Sequence, residues 1–243
     1  MEYTLITGAA KRIGYEIAKH LVYHHNHNII LHYYSSSLEA KQAKKELKNK
    51  AILCKANLFS EKGIRKLIQY CEKYNINTII HNASVFENDS IFSKNFSESF
   101  QQHIGVNLFA RLNIIKELIE RKPLHTKNKL NIINILDYGI FMVPHNFFSY
   151  HLANKILHSL TEMIARQIGF RGRINNIALG QTMKNDRQSQ ENFDNTINNT
   201  LLGYSSTISD LLLAIDFLLQ VQSMTGQTLC LDGGMSILNK KYI

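Results

Sequence analysis

The first fifteen residues constrain this chain most. Tyr3-Thr4-Leu5-Ile6-Thr7 is a short β-branched, aromatic and apolar run, the mark of a buried strand. Gly8-Ala9-Ala10-Lys11-Arg12-Ile13-Gly14 follows, and Ile17, Ala18 and Leu21 then recur at helical spacing. A strand that ends in small residues and opens a helix makes a phosphate cradle. Gly8 permits the tight turn, and Ala9 and Ala10 let a pyrophosphate approach the backbone. The first amides of the helix, with the positive end of its dipole, would face the anion. The spacing is Thr-Gly-x-x-x-Arg-x-Gly rather than G-x-G-x-x-G, with Arg12 where glycine is more usual. Taken alone, the stretch also fits an ordinary strand-to-helix turn.

The rest of the chain repeats the alternation. Strands are expected at 28–34, 51–56, 78–81, 129–136, 173–178 and 228–231. Helices are expected from near Leu38, over 60–73 with Ser60 as cap, over 97–120, from near Tyr150 to Ile168, and over 211–219. This pattern predicts an α/β fold, a single Rossmann-type doubly wound parallel sheet with helices on both faces, spanning 1–243 as one domain. Ligands should bind beyond the C-terminal strand ends. The stretch from Gly180 to about residue 200 is polar, rich in Asn and Gln and without firm periodicity, and reads as a substrate lid.

The end of the second strand bears on cofactor choice. An enzyme preferring NAD carries Asp or Glu there for the ribose 2′-OH. This chain has Tyr33, Tyr34, Ser35, Ser36 and Ser37, with no acid until Glu39. With Lys11 and Arg12 in the adjacent loop, NADP is favoured; Ser35 and Ser36 would donate to a 2′-phosphate while Ser37 caps the next helix. The net charge of +9 suits a phosphate-bearing cofactor. The lysines at 41, 44, 45, 48 and 50 form one solvated helix face, so no nucleic-acid partner is expected. No apolar run approaches a membrane span, and the chain opens directly on a strand, so neither membrane nor export is expected. Cys54, Cys71 and Cys230 are scattered, which points to a reduced, cytoplasmic protein without disulfides. His24, His25 and His27 lie close together with no acid or cysteine nearby, so a polar loop and no metal are expected.

Thr7-Gly8-x-x-x-Arg12-x-Gly14, Asn82-Ala83-Ser84, Asn107, Asp137, Tyr150 and Asp232-Gly233-Gly234, in this order, resemble the short-chain dehydrogenase/reductase family over essentially the whole chain. Arg12, Asp137 in place of a serine, and Phe86 after Asn-Ala-Ser are similar to its pteridine reductase and dihydromonapterin reductase branch. The resemblance implies NADP contacts from Gly8, Lys11, Arg12, Ile13, Gly14, Tyr34, Ser35 and Ser36 in the first half of the chain. Asn57, Leu58, Asn82, Ala83, Asn107, Tyr150 and Lys155 would complete that set. It implies pterin or folate contacts from Ser84, Phe86, Asp137 and Tyr150, catalysis by Asp137, Tyr150 and Lys155, and a homotetramer.

The chemistry fits those residues. Reducing a pterin C=N bond needs a hydride from NADPH and a proton for nitrogen. A tyrosine, with a pKa near 10 in water, gives that proton well only when a cation tunes it. Asp137 could instead cap a turn with Tyr138 and Gly139, Tyr150 could be a packing aromatic, and Phe86 could belong to the core. The chain also departs from the family pattern at Ser35, Asn57 and Leu179. The family's lysine, four residues after the tyrosine, is Asn154 here, and lysine comes at 155. Either the first helical turn loosens so that Lys155 reaches the ribose, which is the favoured expectation, or Asn154 takes the site. The function expected is NADPH-dependent reduction of dihydromonapterin, dihydrobiopterin or dihydrofolate. The alternatives are a carbonyl or 3-oxoacyl reductase and a weakly catalytic NADP-binding protein.

Overall fold

Strands covered on both faces need apolar side chains at successive positions, and Leu5-Ile6, Ile29-Ile30-Leu31, Ile79-Ile80 and Ile132-Ile133 supply them, all fully buried. A computed structural model describes residues 3–121, 129–185 and 188–238. Its strands are β1 (Tyr3–Thr7), β2 (Asn28–Tyr33), β3 (Ala51–Lys55), β4 (Ile76–His81), β5 (Leu130–Asp137), β6 (Gly172–Leu179) and β7 (Thr228–Leu231). They form one parallel sheet in the order β3-β2-β1-β4-β5-β6-β7. The winding reverses between β1 and β4, and a crevice opens where the direction changes. This is the doubly wound sheet expected from the sequence. Thr7 pairs in register with His81, so Gly8 and Asn82 leave the sheet side by side.

Alternate strand residues feed two cores. Ile6, Leu31, Ile80 and Ile133 pack under α1 (Arg12–His25), α2 (Ser37–Glu46) and a later helix at 208–220. Leu5, Ile30, Ile79 and Ile132 pack against α3 (Glu61–Glu72) and a helix at 110–120 on the other face. In α3 the stripe Ile64, Leu67, Ile68 and Cys71 has the expected helical spacing, and the Ser60 hydroxyl caps it by accepting from Gly63 N–H at 3.1 Å.

Four expectations need correction. Ser37 is the first residue of α2 rather than its cap, and Ser36 at the cap position makes no side-chain bond to the helix. His24 and His25 close α1 instead of forming a loop. The expected helix over 97–120 is α4 (Phe96–His103) and α5 (Ala110–Glu120) joined by a π-helical stretch, Ile104–Phe109. The polar stretch after β6 contains α7 (Gln190–Asn198), which follows α6 (Phe148–Ile168). No residue of α7 is buried, so it has no apolar stripe to read. The Ser189 hydroxyl and the Gln188–Asn192 and Gln190–Asp194 pairs stabilise it instead. Residues 186 and 187 of this stretch lie outside those described. The fold ends with α8 (Ile208–Gln220), closed at its start by a Thr207–Asp210 capping box, then β7 and α9 (Met235–Leu238). Among the described residues, no helix is long and apolar enough to cross a membrane.

Candidate active site

At the crevice, backbone and side-chain polar groups interlock. Thr7 Oγ1 accepts from the amides of Asn82 and Ala83, both at 3.0 Å. Asn82 Nδ2 donates to the carbonyls of Thr7 and Gly8, at 3.2 and 3.0 Å. Gly8 has φ +66°, and a Cβ on Gly14 would sit 2.3 Å from the Gly8 carbonyl oxygen. Both glycines are therefore required by geometry. His32 joins them: its Nδ1 accepts from Gly8 N–H and its Nε2 donates to the Ala56 carbonyl, both at 3.1 Å. Burial pushes its pKa down to about 4, so the ring is neutral and this tautomer is assigned by its two partners.

Beside this lattice lies a cleft of about 420 Å³. Gly8, Lys11, Arg12, Ile13 and Gly14 line one end, and Tyr34, Ser35, Ser36, Asn57 and Leu58 line another. Asn82, Ala83 and Ser84 complete its floor, and among the described residues no lining residue is acidic. The uncapped start of α1 leaves its first amides to an anion. These residues fit a dinucleotide with an extra phosphate. Arg12 reaches elsewhere as well: its guanidinium donates to the carbonyls of Lys184 and Met183, at 2.7 and 3.2 Å.

Residues 83–89 run alongside α4 and α5 like a zip. Arg111 donates to the Ala83 carbonyl at 3.0 Å, Asn107 holds both N–H and carbonyl of Val85, His103 Nε2 accepts from Glu87 N–H at 3.2 Å, and Ser99 donates to Asp89 at 2.9 Å. Every second residue thus faces the helices. The residues between them, Ser84, Phe86 and Asn88, are exposed. Asn107 consequently holds the segment that carries Phe86. One face of Phe86 lies parallel to Phe147, centroids 4.4 Å apart, and its neighbour Tyr150 stands edge-on at 4.8 Å. Phe147 adopts a left-handed φ of +58°, unusual for a bulky side chain.

β5 ends at Asp137, which meets Tyr150. Its Oδ1 accepts from Gly139 N–H at 2.7 Å, and its Oδ2 accepts from the Tyr150 hydroxyl at 3.4 Å, a loose contact. Burial raises the Asp137 pKa to about 6, with the Gly139 and Tyr150 bonds opposing it. Burial, then the Asp137 charge, push Tyr150 well above its ordinary value. His151 Nδ1 lies 3.9 Å from Asp137 Oδ1, too far for a hydrogen bond. Burial lowers its pKa to about 4, so no ion pair forms at neutral pH. Helix α6 is regular from Phe148, without the loosened first turn expected for Lys155. Asn154 occupies the position four after Tyr150, donating to its carbonyl at 2.9 Å and accepting from Asp137 N–H. Lys155 donates instead to the Met142 carbonyl and does not join the Asp137–Tyr150 pair. A regular helix turns about 100° between positions 154 and 155, which separates the two side chains.

A family model described as enoyl-(acyl carrier protein) reductase matches residues 8–236. The chain belongs to the short-chain dehydrogenase/reductase family. Dihydromonapterin reductase from Klebsiella pneumoniae is 26% identical over 238 residues, covering 95% of each chain. The enzyme of that name from an Enterobacter species is 24% identical over 237 residues, again at 95% coverage of both. A crystal structure of FolM alternative dihydrofolate reductase 1 from Brucella suis, in complex with NADP, superposes with a TM-score of 0.88 at 25% identity. It covers 96% of this chain and 94% of its own.

Several residues of this short-chain dehydrogenase/reductase escaped sequence reasoning. His32 and Phe59 line the first cleft, and Phe147 lies on Phe86. No local motif marks them, and β2 buries Ile29, Ile30, Leu31 and His32 in succession, so no alternation singles out the histidine. The histidine cluster gains an acid from far along the chain. Asp216 Oδ1 of α8 lies 2.8 Å from His20 Nε2 and 2.7 Å from His25 Nε2, tying the two helices together. A second, wider cleft of about 980 Å³ joins Phe86, Tyr138 and Phe147 to Gln181, Gln188 and Asn192.

Proposed function

We propose that this chain is an NADPH-dependent reductase of a pterin substrate, transferring a hydride to a ring C=N bond of dihydromonapterin, dihydrobiopterin or dihydrofolate. The observation that carries this reading is the Asp137–Tyr150 pair, with Phe86 edge-on to Tyr150 in a cleft that shares Lys11 and Arg12 with the dinucleotide cleft. The names of the relatives and the NADP bound to the Brucella neighbour support it. When bound, NADPH supplies the hydride. The chain's own residues supply position and proton. Phe86 already carries a flat ring in parallel contact, and a pterin is such a ring. The Tyr150 hydroxyl gives its proton to the ring nitrogen, and Asp137 replaces it. With a pKa near 6, Asp137 can take up and release a proton close to neutral pH. Arg12, bonded to 183 and 184, links the cofactor loop to the segment 180–200, which acts as the lid over the wider cleft. The family resemblance carries a homotetramer with it, which light scattering checks.

The test is loss of NADPH absorbance with the three dihydropterins and, as contrast, a 3-oxoacyl thioester. Turnover of a dihydropterin, with NADPH bound at least about tenfold tighter than NADH, or about 1.4 kcal/mol, is expected. Turnover of the thioester alone would establish a carbonyl reductase instead. NADP binding with no turnover would leave a binding protein.

A further inference from the structure

Arg111 is a charge in an expensive place. It is 3% exposed, on α5, and its guanidinium meets two carbonyls rather than a carboxylate: Ile135 at 3.1 Å and Ala83 at 3.0 Å. Its Nε has no acceptor among the described residues. Burial lowers its pKa only to about 10, so it remains a cation at neutral pH. Carbonyl dipoles compensate a buried charge less well than an anion does. The question is which anion the guanidinium serves.

Among the described residues the surroundings leave one. Ile135 and Asp137 are two residues apart on β5, so Arg111 approaches the same strand end that receives Tyr150. Each of Arg111 and Tyr150 feels the other's charge. The titratable groups around the phenol are Asp137 on β5, His103 on α4, His151 on its own helix and Arg111 on α5. His103 accepts a hydrogen bond at Nε2 and His151 is neutral, while His81, beside Arg111 on β4, is held neutral by complete burial. Lys155 is committed to Met142. Asp137 opposes ionisation of the phenol. Among these groups Arg111 alone is a cation placed to favour it.

We infer that Arg111 is the positioning residue whose buried charge stabilises Tyr150 as it gives up its proton, the task that sequence reasoning assigned to Lys155. The inference rests on the reading of Tyr150 as proton donor. Arg111 touches neither substrate nor cofactor in this scheme. It acts through the field it places behind the phenol, fixed there by its two carbonyls and by its place in the zip that holds Phe86.

The test places 3,5-difluorotyrosine at position 150, whose fluorines lower the phenol pKa into an accessible range and report ionisation by ¹⁹F resonance. It needs no substrate. Arg111→Gln keeps amide donors for the carbonyls and removes the charge; it should raise the phenol pKa by about one unit or more, and Arg111→Lys should restore most of the difference. With natural tyrosine, Arg111→Gln should lower kcat about tenfold or more while the KM for NADPH stays within about twofold. NADP is added if the Gln variant is unstable, since a ligand that binds the native state stabilises it. Equal phenol pKa values in wild type and Arg111→Gln overturn the inference. So does a Gln variant that fails to fold even with NADP, which would make the role structural. If the wild type turns over no dihydropterin yet the ¹⁹F shift appears, the pterin reading fails and the charge coupling stands.

Discussion

The two ends of the site are built differently. Around Gly8 and Asn82, each polar group reaches its partner at 3.0 to 3.2 Å, and glycine is demanded by contacts that leave no room for a Cβ. Around Asp137 and Tyr150, the central bond is 3.4 Å, His151 stops at 3.9 Å, and the side chains of Ser149 and His151 keep a buried polar atom without a partner among the described residues. The first end is a rigid cradle whose specificity lies in shape. The second is a loose set of titratable groups whose behaviour is governed by burial and charge. Binding and proton transfer should therefore respond to different substitutions.

The strongest separation comes from Tyr150→Phe. It should cost about 10²–10⁴ in turnover and leave NADP affinity nearly unchanged, measured by steady-state kinetics beside a calorimetric titration. A parallel loss of NADP binding would mean that the two ends are one unit. Gly14→Ala probes the cradle. Its Cβ would fall 2.3 Å from the Gly8 oxygen and 2.6 Å from Asn82 Nδ2, so overpacking should destabilise by about 3 kcal/mol. Thermal unfolding would show this as a drop of roughly 6–12 °C, with weakened NADP binding. Phe86→Ala should weaken dihydropterin binding by about 1 kcal/mol, near fivefold, and spare NADPH; equal effects on both ligands would return Phe86 to a packing role.

The smallest effect is the most diagnostic of charge. Asp137 holds its proton more tightly folded, near pH 6, than unfolded, near the ordinary aspartate value of about 3.9. Between those values the native state binds more protons, so stability falls as pH rises through that window. Asp137→Asn removes the penalty. Its unfolding midpoint should exceed wild type by about 2–4 °C at pH 7.5, on the order of 1 kcal/mol, and the gain should vanish near pH 4. Over the same window, wild-type kcat/KM should decline as Asp137 loses its proton, and a flat profile would remove it from the proton path.

The contrast also explains what could be read from the chain. The cradle was legible because its parts are contiguous: strand, small residues and helix all fall within Tyr3 to Leu21, and Ser60 caps α3 three residues from its partner. Tyr150 and Asp137 were found through a spacing that survives in sequence. His32 meets Gly8 only because β2 pairs with β1, Arg111 meets Ala83 across 28 residues, and Asp216 meets His20 across 196. None of these partnerships leaves a local trace. The misplaced expectation for Lys155 has the same origin. Reach along a helix depends on which carbonyl is within range, and Met142 arrives from outside the helix.

The zip between residues 83–89 and the helices depends on matched pitch. Two residues of extended chain advance about 6.6 Å, and four residues of helix about 6.0 Å, so rungs at 83, 85, 87 and 89 can meet rungs at 111, 107, 103 and 99. Rotation is the difficulty. At 3.6 residues per turn, each step of four overshoots by about 40°, and three steps accumulate about 120°, a third of a revolution. A uniform α-helix facing Asp89 at Ser99 would have rolled Arg111 away from Ala83. The π-helical stretch Ile104–Phe109 has wider turns and takes back part of that roll midway. The number of residues between Ser99 and Arg111 is therefore held more tightly than their identity. A deletion of one would swing one half of the ladder by about 100° against the other, separating the support of Phe86 from the charge behind Tyr150.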